Sequence, residues 1–434
     1  MSESKRLTIL MTPEDSWGHI NPLHGIADEL VRRGHRVVFV LEIGFKGQLR
    51  RYGFDEEHVV RADSTGDCNY RIRLMANNCH LMETTDAVDV LNKLGSLLGD
   101  NEIESFAVFE PQYRAIIERV DPDIIITDAA LKLPAIISSG RPWISVHFWE
   151  PLEFHNNLDN LKLPTPGLGL STNSGNTKQY QSDSVSLDGV YDKLIGKYND
   201  FIKANCPPES IDNYSYETSI RSPYLNIYQC IQELDYPAAH PLPANQLRVE
   251  NIIRETTEMF DIPVPLNDKT LGKLIYLSFG TKGWCSPKHM TRVINILAKT
   301  EHRYIVSFGP FYDKNLLPDN MYGQQFLPHT AVLSLVDLVV TNGGNNTITE
   351  SLYYGKPLIV LPLFDDQFDI AQRVHETGLG VRLNPFEFTD EELMAAVNSV
   401  LNNQELRKRL KTIGQRIRKT NDKKVIADLL EKLV

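Results

Sequence analysis

Short runs of apolar, β-prone residues recur along the chain, and each leads through a turn into a stretch with apolar residues at helical spacing. In the first half, Leu7–Met11, Val37–Leu41, Ile124–Thr127 and Trp143–His147 read as buried parallel strands. In the second half, Leu274–Phe279, Tyr304–Phe308, Leu338–Thr341 and Leu358–Leu361 do the same. Alternating strand and helix units predict an α/β fold with a doubly wound parallel sheet in each half. After the first strand, Leu23, Ile26, Ala27, Leu30 and Val31 form one helical face. Asn21 suits the N-cap of that helix, Pro22 its first position and Gly34 its stop.

The halves are joined by Y-P-A-A-H-P-L-P at 236–243, proline-rich and extended, and by a charged stretch from Arg248 to Thr270 that contains I-P-V-P. Residues 1–245 and 246–412 are therefore expected to form separate domains, meeting near 245–270, with 413–434 a C-terminal helical segment. Asn156 to Asp188 is rich in Asn, Ser, Thr, Gly and Pro and reads as a long loop or lid on the first half. No repeat at a fixed short period is present.

The chain has 434 residues, 42% hydrophobic and 23% charged, enough for two cores. A formal net charge of −11 argues against nucleic acid or an anionic membrane as partner. The five cysteines, at 68, 79, 206, 230 and 285, show no C-x-x-C and no metal spacing, which suggests reduced thiols. The N-terminal apolar run is short for a signal peptide, and K-K-V-I-A-D-L-L-E-K-L-V at the C-terminus is amphipathic and broken by charges. These features predict a soluble, cytoplasmic protein.

Candidate chemistry clusters at strand ends. His19, in S-W-G-H-I-N-P, sits between the first strand and its helix, where open α/β sheets bind ligands. A helix N-terminus nearby disfavours the imidazolium, so His19 could accept a proton, although a plain loop histidine would look the same. Asp128 ends I-I-I-T-D and could hold that ring in one tautomer, or simply cap the next helix. Asp121-Pro-Asp123 matches a metal-binding D-x-D, but it precedes its strand and reads better as a solvated turn.

In the second half, L-S-F-G-T ends a strand with Ser278, Gly280 and Thr281, suited to a phosphate. T-N-G-G-N-N-T-I-T-E, Thr341 to Glu350, is a strand end, a glycine turn and a helix start, the usual cradle for a phosphate. Gly343, Gly344, Asn346 and Thr347 make a diphosphate plausible there. Glu350, one turn into the helix, could accept from both ribose hydroxyls, and Asp366 and Gln367 suit a polyhydroxylated sugar. Phe326 is either core or a stacking face for a base. Trp17, Phe148, Trp149 and Phe154 lie near first-half strand ends and could line an apolar pocket or pack in the core.

Together, F-L-P-H-T-A-V-L, T-N-G-G-N-N-T-I-T-E, G-K-P-L-I-V-L-P and D-D-Q resemble the signature of the UDP-glycosyltransferases, and G-H-I-N-P with I-I-I-T-D resembles that family's catalytic pair. The combination G-G-N-N-T-I-T-E-S-L-Y-Y-G-K-P is most similar to soluble arthropod members, notably those of mites. The resemblance implies a GT-B fold, two Rossmann-like domains facing across a cleft, with the acceptor in the first and the UDP-sugar in the second. It implies His19 as general base and Asp128 as its partner. It implies Gly18, Ser278, Gly280, Thr281, Phe326, Leu327, Asn342, Gly344, Asn346, Thr347, Glu350, Asp366 and Gln367 around the donor, and no metal or further cofactor. The reaction implied is inverting transfer of a sugar, UDP-glucose being the expected donor, to a small lipophilic alcohol or phenol such as a flavonoid or xenobiotic. Three positions depart from the pattern: Asn342 stands for the family's diphosphate-binding His, His329 for a Gln and Ile370 for an Asn. An amide donates a hydrogen bond but carries no charge, so a weakly active or non-catalytic binder is one alternative. Another nucleotide-sugar enzyme of the same fold is the second.

Overall fold

The computed structural model describes residues 5–61, 77–78, 84, 86–155, 163–172, 194–207, 221–239, 241–255, 258–268, 270–280, 286–309 and 317–434. Cysteines 68, 79 and 285, and the expected loop of 156–188 except for 163–172, lie outside the described residues.

The first half is built on β1 (Thr8–Thr12), β2 (Arg36–Glu42), β3 (Asp55–Val59), β4 (Ile124–Thr127), β5 (Trp143–His147), β6 (Leu225–Gln229) and β7 (Gln246–Val249). These form one parallel sheet in the order β3-β2-β1-β4-β5-β6-β7. Two helices, α1 (Trp17–Arg32) and α2 (Ala87–Val120), cover opposite faces. Ile9 and Met11 pack with Leu23, Ile26 and Leu30 of α1, whereas Leu10 between them packs with Phe109 and Tyr113 of α2. Burial on both faces is why these strands read as unbroken apolar runs.

The second half repeats the scheme with β8 (Leu274–Ser278), β9 (Arg303–Ser307), β10 (Met321–Gln324), β11 (Leu338–Thr341), β12 (Leu358–Val360) and β13 (Gly380–Arg382), a parallel sheet ordered β10-β9-β8-β11-β12-β13. Its helices are α3 (Pro287–Leu297), α4 (His329–Leu335), α5 (Asn345–Tyr353), α6 (Gln367–Glu376), α7 (Asp390–Asn402) and α8 (Gln404–Ile417). The last helix, α9 (Asp422–Glu431), returns to the first half, where Ile426, Ala427 and Leu430 enter the core beside α1. Arg33 donates to Asp428 at 2.7 Å and His35 pairs with Glu431 at 3.0 Å. Among the described residues no helix is long and apolar enough to cross a membrane.

Three expectations are corrected. The first sheet continues past residue 245, because Gln246–Val249 adds β7 to its edge, so the proline-rich 236–243 precedes a strand rather than ending the unit. Helix α1 starts at Trp17 with Ser16 in the extended N-cap position, which puts His19 in the first turn and Pro22 inside the helix. Val31 lies at the surface, off the buried face.

The connection between the halves lies against α1 at Gly25. A Cβ there would overlap the Ile252 carbonyl and come within 3.0 Å of the Arg254 amide nitrogen. Gly25→Ala gains helix propensity of about 1 kcal/mol but meets an immovable backbone, so a net loss of about 1–3 kcal/mol is expected from urea unfolding.

Candidate functional site

In each sheet the strand order reverses between two central neighbours, β1/β4 in the first and β8/β11 in the second. Loops leaving the carboxyl ends of such a pair diverge and leave a crevice. A cavity of about 870 Å³ is lined by residues that follow β1 in the first sheet and both β8 and β11 in the second.

On the first-half side, α1 carries His19 in its opening turn and β4 delivers Asp128 beside it. His19 Nδ1 lies 2.8 Å from Asp128 Oδ2, and Glu14 N donates to Asp128 Oδ1 at 2.6 Å. Asp128 is fully buried, and burial raises its pKa while His19 and the Glu14 N–H pull it back. Engaging Nδ1 sets the tautomer: Nδ1 donates to the carboxylate and Nε2 is left basic. Glu14 Oε2 lies 3.8 Å from that Nε2. The Trp149 ring is 5.7 Å from His19, and Trp17 and Phe148 join it in the cavity wall. Phe154 does not: it is buried and stacks on Tyr228 at 4.5 Å, because the short helix Pro151–His155 turns it onto β6.

On the second-half side, β8 ends at Ser278 and leads to Gly280, both lining the cavity; Thr281 lies outside the described residues. β11 runs into Asn342, Gly343 and Gly344 and then α5. Gly343 has φ +97°, and a Cβ would stand 2.7 Å from Val360 Cγ1, so only glycine makes this turn. The turn aims the unpaired N–H groups of the first turn of α5 at the cavity, where Gly344, Asn346 and Thr347 lie. Asn342 is buried at the head of this cradle, its Oδ1 accepting from Thr341 Oγ1 at 3.4 Å, and it brings no charge.

The same helix start ties the halves together. Pro22 has no N–H, so the Gly18 carbonyl four residues earlier has no helical donor. Asn346 Nδ2 donates to that carbonyl, and Asn345 Nδ2 donates to the carbonyls of Phe148 at 2.9 Å, Trp149 at 3.2 Å and Gln229 at 3.1 Å. Asn346, expected at a phosphate, thus has its amide nitrogen engaged with the first half. Gly18 also lines the cavity.

Deeper in, His329 Nε2 is 3.2 Å from Glu350 Oε2 and its Nδ1 is 2.9 Å from Tyr276 Oη. Burial pushes Glu350 up to about 7, offset in part by Arg254, and pushes His329 down to about 4 with Arg254 adding to the effect. Both groups are driven towards their neutral forms, so the pair near neutrality is a hydrogen bond sharing a proton rather than a full ion pair. Phe326, 54% exposed, and Leu327 stand at one end of this region. At the other, Asp365, Asp366 and Gln367 line the cavity, with Gln367 Oε1 held by Leu363 N at 3.0 Å. Asp365 sits at φ +57°, an uncommon conformation for a residue with a side chain.

Asp121 and Asp123 lie at the opposite end of β4: Asp123 accepts from Thr8 N at 2.8 Å and pairs with Lys5, and Asp121 pairs with Arg141. Sequence reasoning missed Arg254, Tyr276, Asn345 and Asp365. Asp365 could have been found from its place in D-D-Q; the others have no local motif.

Residues 273–421 match the sequence profile of the UDP-glucoronosyl and UDP-glucosyl transferase family. Over nearly its whole length the chain is similar to 4'-demethylrebeccamycin synthase of Lentzea aerocolonigenes, 24% identical with 93% of each chain covered. It is likewise similar to NDP-glycosyltransferase YjiC of Bacillus subtilis, 25% identical with 95% of this chain and 94% of that one covered. Its structure resembles the glycotransferase of kitacinnamycin, with TM-score 0.69, 20% identity and 99% of both chains covered. It also resembles the glycosyltransferase VinC solved with dTDP, with TM-score 0.66, 15% identity and 99% and 100% covered. The fold is GT-B: two Rossmann-like parallel-sheet units with a cavity between them.

Proposed function

The chain is a glycosyltransferase that uses a nucleotide sugar, and on that premise we propose that it is an inverting enzyme moving glucose from UDP-glucose to a hydroxyl of a small lipophilic acceptor. The observation that carries this reading is a single one: His19, held from behind by the buried Asp128, and the N-terminus of α5 line the same cavity from opposite halves. The first half takes the acceptor and the second the donor. Trp17, Phe148 and Trp149 offer an apolar, aromatic wall beside His19, suited to a phenol such as a flavonoid or a xenobiotic. A detoxifying role in the cytoplasm belongs to the same proposal; it rests on the sequence resemblance of G-G-N-N-T-I-T-E to arthropod members, while the relatives reported above are bacterial.

In this mechanism His19 Nε2 takes the acceptor's hydroxyl proton as its oxygen attacks the anomeric carbon. The bond from that carbon to the β-phosphate oxygen breaks, and its electron pair leaves with UDP. Asp128 steadies the imidazolium that forms. The N–H groups and dipole of α5, with Ser278 and Thr347, stabilise the departing diphosphate, the task a metal performs elsewhere. Phe326 stacks on the uracil beside Leu327. Glu350 accepts from the ribose hydroxyls, and Asp366 and Gln367 hold the sugar.

Incubation with UDP-glucose and a panel of phenolic acceptors, read by mass spectrometry, tests this. Glycosides of inverted anomeric configuration support it; retained configuration makes the chain a different nucleotide-sugar enzyme of this fold. UDP binding with no transfer from any UDP-sugar would favour a binder, a reading that Asn342 motivates. Asn342→His restores a chargeable donor and is expected to raise kcat about tenfold in initial-rate assays, a fraction of what one such donor is worth.

A further inference from the structure

The connection between the halves passes along the cavity and is anchored on two sides. Towards the C-terminus, Glu250 N and Asn251 N both donate to Asp422 Oδ2 at 2.8 Å, and Lys423 Nζ donates to the Ile253 carbonyl at 3.0 Å. Towards α1, Ile252 is fully buried against Gly25. This seated segment ends in Arg254, whose side chain is 14% exposed and lines the cavity. Among the described residues its ion pair is with Glu258 at 3.7 Å, too long for a hydrogen bond. Its charge is felt at both Glu350 and His329, the ribose end of the donor site. Arg51, the cavity's other arginine, differs: it is 60% exposed and lies over the Tyr52 ring at 4.7 Å.

A diphosphate carries two negative charges, and α5 meets it with dipoles while Asn342 adds no cation. A guanidinium is always protonated and presents a planar fork that matches phosphate oxygens. A largely buried arginine without a hydrogen-bonded carboxylate, beside the ribose site, has that geometry to offer. Resting on the donor site proposed above, we propose that Arg254 is a further donor-binding residue, donating from the interdomain connection to the phosphate next to the ribose and supplying the charge that Asn342 lacks. The return of α9 then has a role in the site, since Asp422 and Lys423 hold the segment that presents this arginine.

The test uses the full-length protein and titrates uridine, UMP and UDP into native, Arg254→Ala and Arg254→Lys forms by calorimetry, with circular dichroism checking the fold. At pH 8.5, chosen to favour the Glu350 carboxylate, Arg254→Ala is expected to weaken UMP and UDP by about tenfold or more beyond any loss for uridine, which shares the ribose contact but lacks the phosphate. Arg254→Lys, a point charge without the fork, is expected to fall between. An equal loss for uridine would make Arg254 a packing residue, and no loss for UDP would remove it from the site; either overturns the inference and leaves the donor reading intact. Failure of the native protein to bind UDP would overturn both.

Discussion

His19→Ala is expected to lower kcat by about a hundredfold to ten-thousandfold while leaving UDP affinity unchanged, because it removes the proton acceptor and nothing that faces the nucleotide. Asp128→Asn is the sharper companion. Asp128 uses both oxygens, one towards His19 Nδ1 and one towards the Glu14 N–H, and both partners are donors. An amide has only one acceptor. If its oxygen stays with His19, its NH2 faces the Glu14 N–H, two donors in contact. If it flips, NH2 faces Nδ1, which must then become the acceptor and leave the proton on Nε2, the nitrogen required to be basic. The second arrangement gives a well-folded enzyme with the wrong tautomer, so a loss approaching that of His19→Ala is expected, measured as initial rates of glycoside formation. Retention of more than about a tenth of native kcat in His19→Ala would remove the general-base assignment.

The pair was legible in sequence because both residues follow central strands that declare themselves. Ile124–Thr127 is buried on both faces, so an apolar run ends at a carboxyl edge and the polar residue after it stands out. Sheet edges gave no such signal. β3 reads D-E-E-H-V and β10 reads M-Y-G-Q, since edge strands are less covered and tolerate polar residues and glycine. β6 was hidden differently. Its five residues are all buried, but Asn226 among them is satisfied by Ser222, which donates to its Oδ1 at 2.7 Å and accepts from its Nδ2 at 2.8 Å. A buried amide bonded within its own loop breaks the apolar pattern without breaking the strand.

The second-half wall of the cavity, the proposed donor side, was legible where it is contiguous. Strand, turn and helix from Leu338 to Glu350 form one local unit, and Gly343 is required by a backbone conformation that its neighbours impose. Contributions that depend on the two halves meeting were not. Asn345 bonds to carbonyls more than a hundred residues away, and Arg254 is placed by α9, which follows it by some 170 positions. The start of α1 was misplaced because Pro22 normally marks a first turn. Here its missing N–H is accommodated in the helix interior, and the Gly18 carbonyl it releases is taken by Asn346.

Glu350→Gln is expected to move stability and donor affinity in opposite directions. Burial raises Glu350 from its ordinary 4.5 to about 7, so the folded chain binds this proton more tightly than the unfolded one. The contribution is therefore favourable at low pH and is lost as pH rises from about 4.5 through 7. Above that window the native protein carries a buried carboxylate at a cost of about 3 kcal/mol, lessened by the His329 contact at 3.2 Å. Glutamine keeps the shape and drops the charge. The variant should be more stable than the native chain at pH 8 by up to that amount, with the gap closing towards pH 4.5, as read from urea midpoints. Its affinity for UDP-glucose should fall by about ten- to a hundredfold, because a neutral amide offers one acceptor where the ribose diol needs two strong ones. UDP-glucose is the right probe, since its bridging phosphates do not titrate in this range. Native affinity for it should weaken as pH drops below 7 and Glu350 takes up its proton, while the variant shows no such slope. A native affinity flat from pH 6 to 8 would mean that the ribose is held by something other than this carboxylate.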